Sequence, residues 1–260
     1  MYYQRTRGLR IKDFWFVEDR KREQEPGADF AQYHDMPEIP VDAQDMMVSY
    51  QRLTLVNDLT ETEEDLMARF KKNTKYEIKR SAKEGSYAQF LSGDALLEKK
   101  EILARVDKAH AQMFADKGKK SKREYPTMLA AAKAGMLTVS VGYLADGREC
   151  AYHVYIIGNG TARLLHSISV FRGANSNEDR NAIGRLNRFL HYEDMLHLKQ
   201  QGYTVYDWGG YSEEEQLKSI SDFKKAFGGE ITQIYTVIYA TSPLGKLLSR
   251  LVKWVKFRGK

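Results

Sequence analysis

The order of its segments constrains this chain more tightly than its composition does. The stretch "MLTVSVGYL" alternates, with Leu137, Val139, Val141 and Tyr143 on one face of a strand. Asp146-Gly147 is a hairpin turn signal before "CAYHVYII", and Gly158–Gly160 turns the chain again into "TARLLHSISV". A helix from about Arg180 to Gln201 comes next, with Gly202 as its cap, then the strand "TVYDW", a further helix and the strand "EITQIYTVIYA". A helical crossover between neighbouring strands of one sheet makes them parallel. The reading is therefore an α/β mixed sheet, an antiparallel meander followed by helix-strand-helix-strand, with "TARLLHSISV" and "TVYDW" as a parallel pair. Ligands in open α/β sheets bind beyond the carboxyl ends of such strands, here Ser167–Val170 and Asp207–Gly210.

The rest of the chain is organised around that block. Residues 1–46, holding "EQEPGADF" and "MPEIP", read as an N-terminal arm or small β-structure; 47–241 as the main domain; 242–260 as a basic amphipathic helix. "TETEEDLMARFKKNTKYEIKRSAKEG" reads as one helix, with Thr60 and Glu63 at capping-box spacing and Gly85 as its stop. A second helix is expected from about Ala95 to Ala115, before the basic loop "DKGKKSKRE". Cys150 is the only cysteine, which excludes an internal disulfide and a cysteine-rich metal site. The N-terminus does not resemble a signal peptide, and there is no apolar run of about 18 residues. A cytoplasmic protein is expected, peripheral to the inner membrane face if the tail, with Leu247, Leu251, Trp254 and its lysines, lies in an interface. A docked terminal helix accounts for the same tail. The net charge of +6 favours anionic partners.

Lys224 is the first candidate for chemistry. Leu217, Ile220 and Phe227 form one helical stripe, and Lys224 completes it. An ammonium on an apolar face must snorkel, pair, lose its proton or face a polar cleft; a salt bridge to Asp207 is the bland alternative. On the helix Arg180–Gln201, Arg180, Gly184, Asn187 and His191 form a polar stripe interrupted by glycine, which suggests a pocket wall with close approach at Gly184, or else an ordinary solvated face. Asp207-Trp208-Gly209-Gly210-Tyr211 ends the later parallel strand, where Asp207 can orient Lys224, relay a proton or merely cap the turn. Lys71, Lys75, Lys79 and Lys83 recur every four residues beside Arg80, a basic face for an anion or for water. The six histidines show no metal-ligand spacing, so no metal is expected, and P-loop, H-E-x-x-H and G-x-S-x-G motifs are absent.

"LMARFKKNTKYEIKRSAKEG", "RNAIGRLNRFLHYEDMLHLKQQGYTVYDWGG" and "ISDFKKAFGGEI" resemble, in that order, motifs of the FemABX-like transferases of the GNAT acyltransferase fold, over about Leu53 to Tyr239. The resemblance implies a GNAT-like mixed sheet splayed between two central parallel strands, and transfer of an aminoacyl group from tRNA to an amino group of a peptidoglycan precursor. It maps the family's reaction-site Phe-Lys to Phe223 and Lys224, and an anion-binding role to Lys75, Lys79 and Arg80. With Asp207 as a catalytic partner and Tyr211, Arg180, Asn187 and His191 as substrate contacts, these are the candidate site residues. No permanently bound cofactor is expected; the donor is aminoacyl-tRNA or acyl-CoA. "RNAIGRL" departs from the usual coenzyme A loop, with its glycine one place late and the second missing. Better-known members have two GNAT-like domains, whereas this chain has length for one plus an arm. The alternatives are acyl-CoA-dependent N-acylation of an amino sugar or lipid-linked saccharide, and a non-catalytic module binding tRNA or membrane.

Overall fold

The computed structural model of the chain describes residues 1–41, 44–171, 174 and 176–258. Its strands are β1 (Tyr2–Arg7), β2 (Leu9–Trp15), β3 (Phe30–Met36), β4 (Met46–Asp58), β5 (Tyr87–Ser92), β6 (Leu137–Tyr143), β7 (Glu149–Gly158), β8 (Thr161–Ser169), β9 (Val205–Asp207) and β10 (Glu230–Ala240). Its helices are α1 (Glu63–Arg69), α2 (Lys72–Lys83), α3 (Gly93–Glu98), α4 (Glu101–Ala115), α5 (Tyr125–Lys133), α6 (Asn177–Gln200), α7 (Lys218–Lys225) and α8 (Pro243–Arg258). The chain divides into two compact units, Met1–Leu53 with Gln233–Lys260, and Thr54–Thr232.

In the first unit β1 runs antiparallel to β2, β2 parallel to β3, and β3 antiparallel to β10. Phe14 stacks on Tyr33 at 4.6 Å, and Tyr33 meets Tyr239 edge-on at 5.7 Å, with Met36 and Val237 closing the core around them. Burial of each such side chain stabilises the fold by about 1.5–3 kcal/mol. On α8, Leu244, Leu247 and Leu251 are exposed. The side chains of Trp254, Val255 and Lys256, on which the amphipathic reading of the tail also relied, fall outside the described residues, as does Lys260.

The second unit carries the block that the segment order predicts. Its strand order is β4-β9-β8-β7-β6-β5, and β6, β7 and β8 form the expected antiparallel meander. β8 and β9 are parallel, paired only at Thr161↔Val205, Ala162↔Tyr206 and Arg163↔Asp207. Beyond that point β8 continues to Ser169 while β9 ends, so the two strands part. α6 packs on the meander. A Cβ at Gly142 would meet Leu186 and Leu190 at 3.2 Å, so the missing side chain in β6 lets the helix seat there.

Local competition moved some boundaries. The helix expected from Thr60 starts later, because Asp58 takes the Thr60 backbone N–H (2.8 Å) and hydroxyl (2.7 Å) into a turn. Thr62 is the cap instead and accepts from Asp65 N at 3.1 Å. The same helix breaks at Phe70, which leaves helical geometry to bury itself 5.2 Å from Phe227, while Lys71 N donates to Ala226 O at 2.9 Å. Here tertiary packing outweighs about twenty residues of good helical pattern. The predicted Ala95–Ala115 helix is likewise two, α3 and α4, separated at Lys99–Lys100.

Candidate active site

A cavity of about 490 Å³ lies where β8 and β9 part. Its walls come from β8 (Leu164, Ser167, Ser169), from α6 (Asn187, His191), from Trp208 after β9, from α7 (Ile220, Phe223, Lys224) and from the end of α4 (Met113, Phe114). The stripe that marked Lys224 is therefore a cavity face and not a core face: Phe227 is buried, but Leu217 and Ile220 are 42% and 46% exposed. Phe223 lies 6.3 Å from Trp208 and 5.6 Å from His191, so the lysine sits among rings.

The Lys224 ammonium donates to Gly209 O and, at 2.7 Å, to Gly210 O. Two of its three hydrogens are thus held by the turn that follows β9, and the third remains for the cavity. Burial pushes its pKa down to about 8; Asp207 opposes that shift and Arg163 adds to it. A cation in a desolvated wall stabilises negative charge far better than one in water.

Asp207 does not hydrogen-bond Lys224. One oxygen accepts from Thr54 Oγ1 and from Gly209 N (2.7 Å), and the other pairs with Arg163 Nη1 at 3.2 Å, both side chains buried. Of the roles open to it in the sequence, this arrangement matches the turn cap: Asp207 braces the loop whose carbonyls hold Lys224. Gly209 has φ +59°, and a Cβ there would sit 2.5 Å from Leu164 O. Gly209→Ala is expected to lower stability by about 2–5 kcal/mol, left-handed strain and overpacking together. Gly184→Ala is the contrast. Nothing lies within 4 Å of a Cβ there, so the close approach expected at Gly184 is absent and the change should gain up to about 1 kcal/mol. Thermal denaturation of the two variants checks both signs.

The other predicted residues separate into groups. Asn187 and His191 are buried and line the cavity. Arg180, at the start of α6, is exposed and not in the wall. Tyr211 is buried but is not in the wall either; its hydroxyl is 3.4 Å from Glu213 and its ring lies under Lys225 Nζ at 4.9 Å. Lys75 caps the end of α1 through Ala68 O at 2.7 Å, and Arg80 pairs with Glu84 at 2.7 Å and Glu178 at 3.1 Å. Lys79 and Arg80 share a surface groove with Tyr76, Lys83 and Glu84, away from the cavity lining.

Sequence reasoning missed what lies behind the cavity. His191 stacks on His153 at 3.8 Å; its Nδ1 is 2.7 Å from Tyr206 OH and its Nε2 3.3 Å from Ser167 Oγ. Tyr206 OH is 2.8 Å from Tyr155 OH, which donates to Asp194 Oδ2 at 2.5 Å. His153 spans Asp194 Oδ2 (2.5 Å) and Asn187 Oδ1 (3.0 Å). Burial, with His153, Lys224 and Arg188 nearby, holds the His191 pKa well below the usual histidine range. His153, His191 and Asp194 bring donor atoms within 4.8 Å of one another. Stacked imidazoles do not aim their lone pairs at one ion, and these nitrogens are already engaged in hydrogen bonds, so the trio suits proton handling better than metal binding. The available signal was the α6 stripe itself, since three more residues from His191 reach Asp194.

No protein-family model matches the sequence, and no curated protein does. Solved structures do. FemX matches at a TM-score of 0.63 with 12% identity, over 95% of this chain and 86% of that one. The C-terminal domain of a candidate lysylphosphatidylglycerol synthetase from Agrobacterium fabrum matches at 0.54 with 13% identity, over 96% and 83%. A conserved protein of unknown function from Bacteroides thetaiotaomicron matches at 0.50 with 12% identity, over 89% and 80%. At such identities the likeness is one of fold, and it agrees with the motifs quoted above: this chain has a mixed α/β fold similar to that of FemX.

Proposed function

We propose that the chain is an amide-forming transferase that moves an aminoacyl group from tRNA to an amine of a cell-envelope precursor. The observation that carries this reading is the Lys224 ammonium, fixed by Gly209 O and Gly210 O in the wall of a largely apolar cavity where two parallel strands part. In such a reaction an amine attacks an ester carbonyl, the carbonyl oxygen becomes an oxyanion, and the third hydrogen of Lys224 meets that charge as it develops. Phe223 and Trp208 keep water away from the same place. Lys79 and Arg80 hold phosphate of the donor at the outer groove. Exposed Leu244, Leu247 and Leu251 on α8, with Lys246 and Arg250 alongside, support contact with a membrane that carries the precursor.

The donor class is tested by incubating the full chain with an amine-bearing peptidoglycan precursor and either alanyl-tRNA or acetyl-CoA, then weighing the acceptor by mass spectrometry. Mass gain with the charged tRNA alone is the expected result. Gain with acetyl-CoA alone would replace the donor by acyl-CoA. Salt-sensitive tRNA binding without turnover on either donor would replace the enzyme by a binding module.

A further inference from the structure

We propose that His191 is the general base of this cavity, reached through the Ser167 hydroxyl, with its tautomer dictated by the chain Tyr206–Tyr155–Asp194. The proposal rests on the transfer reading above and adds to it the group that handles the proton.

The directions of the hydrogen bonds follow from counting hydrogens. A carboxylate only accepts. Tyr155 has one hydroxyl hydrogen, and Asp194 Oδ2 takes it at 2.5 Å. Tyr155 oxygen must then accept from Tyr206 OH, 2.8 Å away. With its own hydrogen spent, Tyr206 oxygen accepts from His191 Nδ1–H at 2.7 Å. Of the two imidazoles stacked at 3.8 Å, His153 is the one that faces the Asp194 carboxylate, so His191 is the ring that rests neutral and is free to take up a proton during the step. A neutral imidazole with its hydrogen on Nδ1 has a lone pair on Nε2, and that atom faces Ser167 Oγ at 3.3 Å, where it shares the serine hydrogen with the other acceptor in reach, Asn187 Oδ1 at 3.4 Å. Ser167 and His191 both line the cavity. His191 is fully buried while Ser167 is half-buried, which places the hydroxyl between the base and an incoming amine.

The step then balances. A neutral acceptor amine forms the C–N bond to the donor carbonyl. Its surplus proton passes to Ser167 Oγ as the serine hydrogen passes to His191 Nε2. The C–O bond to the donor breaks, and the leaving oxygen takes the proton back along the same path. While His191 is an imidazolium, its Nδ1–H points down a chain that ends on a buried carboxylate. The second oxygen of that carboxylate, Asp194 Oδ1, has no hydrogen-bond partner among the described residues. Tyr206, Tyr155 and Asp194 are positioning residues, and Ser167 is the one that touches the amine.

The full chain labelled with ¹⁵N-histidine gives a readout that does not depend on turnover. His191, assigned by its loss in His191→Gln, should show a protonated Nδ1 and a bare Nε2 from pH 6 to 8. Tyr206→Phe removes the acceptor at Nδ1 and should move the hydrogen to Nε2. In the transfer assay the same variant should lose at least tenfold in kcat with KM unchanged, since it blocks the base and leaves the cavity wall in place. If Tyr206→Phe does not fold, Tyr155→Phe cuts the chain one link further on and should act in the same direction. A wild-type His191 protonated at Nε2, or a Tyr206→Phe enzyme with full kcat, overturns the assignment. Absence of turnover on either donor would instead overturn the transfer reading, and with it any catalytic use of the base, while the nitrogen signals would still report whether the chain holds its direction.

Discussion

Lys224→Met is expected to lower transfer by about 10²–10³-fold while leaving the melting temperature near that of the wild type. Methionine keeps most of the length and fills the same space against Ile220 and Phe223, so the wall stays closed. On the proposed function the variant loses the hydrogen that would meet the oxyanion, and one preorganised donor of this kind is worth about that factor. Two opposing contributions to stability nearly cancel. Removing a buried cation whose pKa is pushed from 10.5 down to about 8 relieves about 3 kcal/mol. Losing charged hydrogen bonds to Gly209 O and Gly210 O costs a similar amount. The pH dependence separates the two. Because the folded-state pKa lies below the unfolded one, the unfolded chain binds the extra proton between pH 8 and 10.5, and wild-type stability rises with pH across that window relative to Lys224→Met. Transfer should run the other way, falling as pH rises through about 8 and the cation is lost. A melting curve and a rate profile over pH 6–10 check both directions, and transfer surviving in Lys224→Met would refute the electrostatic role.

The parts of this molecule that were legible in the sequence are those whose signal is local. Alternation over 137–143, the Asp146-Gly147 turn and the Gly158–Gly160 turn specify the meander, and a helix between two strands specifies their parallel pairing. Lys224 was visible because a charge on an apolar stripe conflicts with its own helix, and such conflicts gather at functional sites. The chain from His191 to Asp194 had no such mark. His153 and Tyr155 alternate normally within an apolar strand, Tyr206 reads as a strand aromatic, and Asp194 as a polar position on a long helix. Only the pairing of β7 with β8 and β8 with β9, with α6 laid across them, makes these four residues neighbours. The helix breaks were hidden for the same reason: Phe70 leaves α1 for a partner, Phe227, more than 150 positions along the chain.

Asp207 shows how differently a brace and a proton carrier should respond to the same substitutions. Asp207→Ala removes a carboxylate partner of the buried Arg163 guanidinium and the acceptor of Gly209 N together, and is expected to lower stability by about 3–5 kcal/mol. The turn that presents Gly209 O and Gly210 O then loosens, so transfer falls with it. Asp207→Asn keeps an oxygen for Gly209 N and Thr54 Oγ1 and gives up only the charge facing Arg163. The asparagine protein should therefore be less stable than wild type, more stable than the alanine protein, and within about tenfold of wild-type transfer once folded, since each tenfold corresponds to about 1.4 kcal/mol of barrier. A residue that gives or takes a proton would behave in reverse, because an amide has no proton to exchange: the asparagine variant would be as inactive as alanine whatever its stability. Denaturant titration beside single-turnover rates for the two variants separates these cases. The brace is the expected result, because every acceptor position Asp207 uses faces the turn, Thr54 or Arg163, and none faces the cavity.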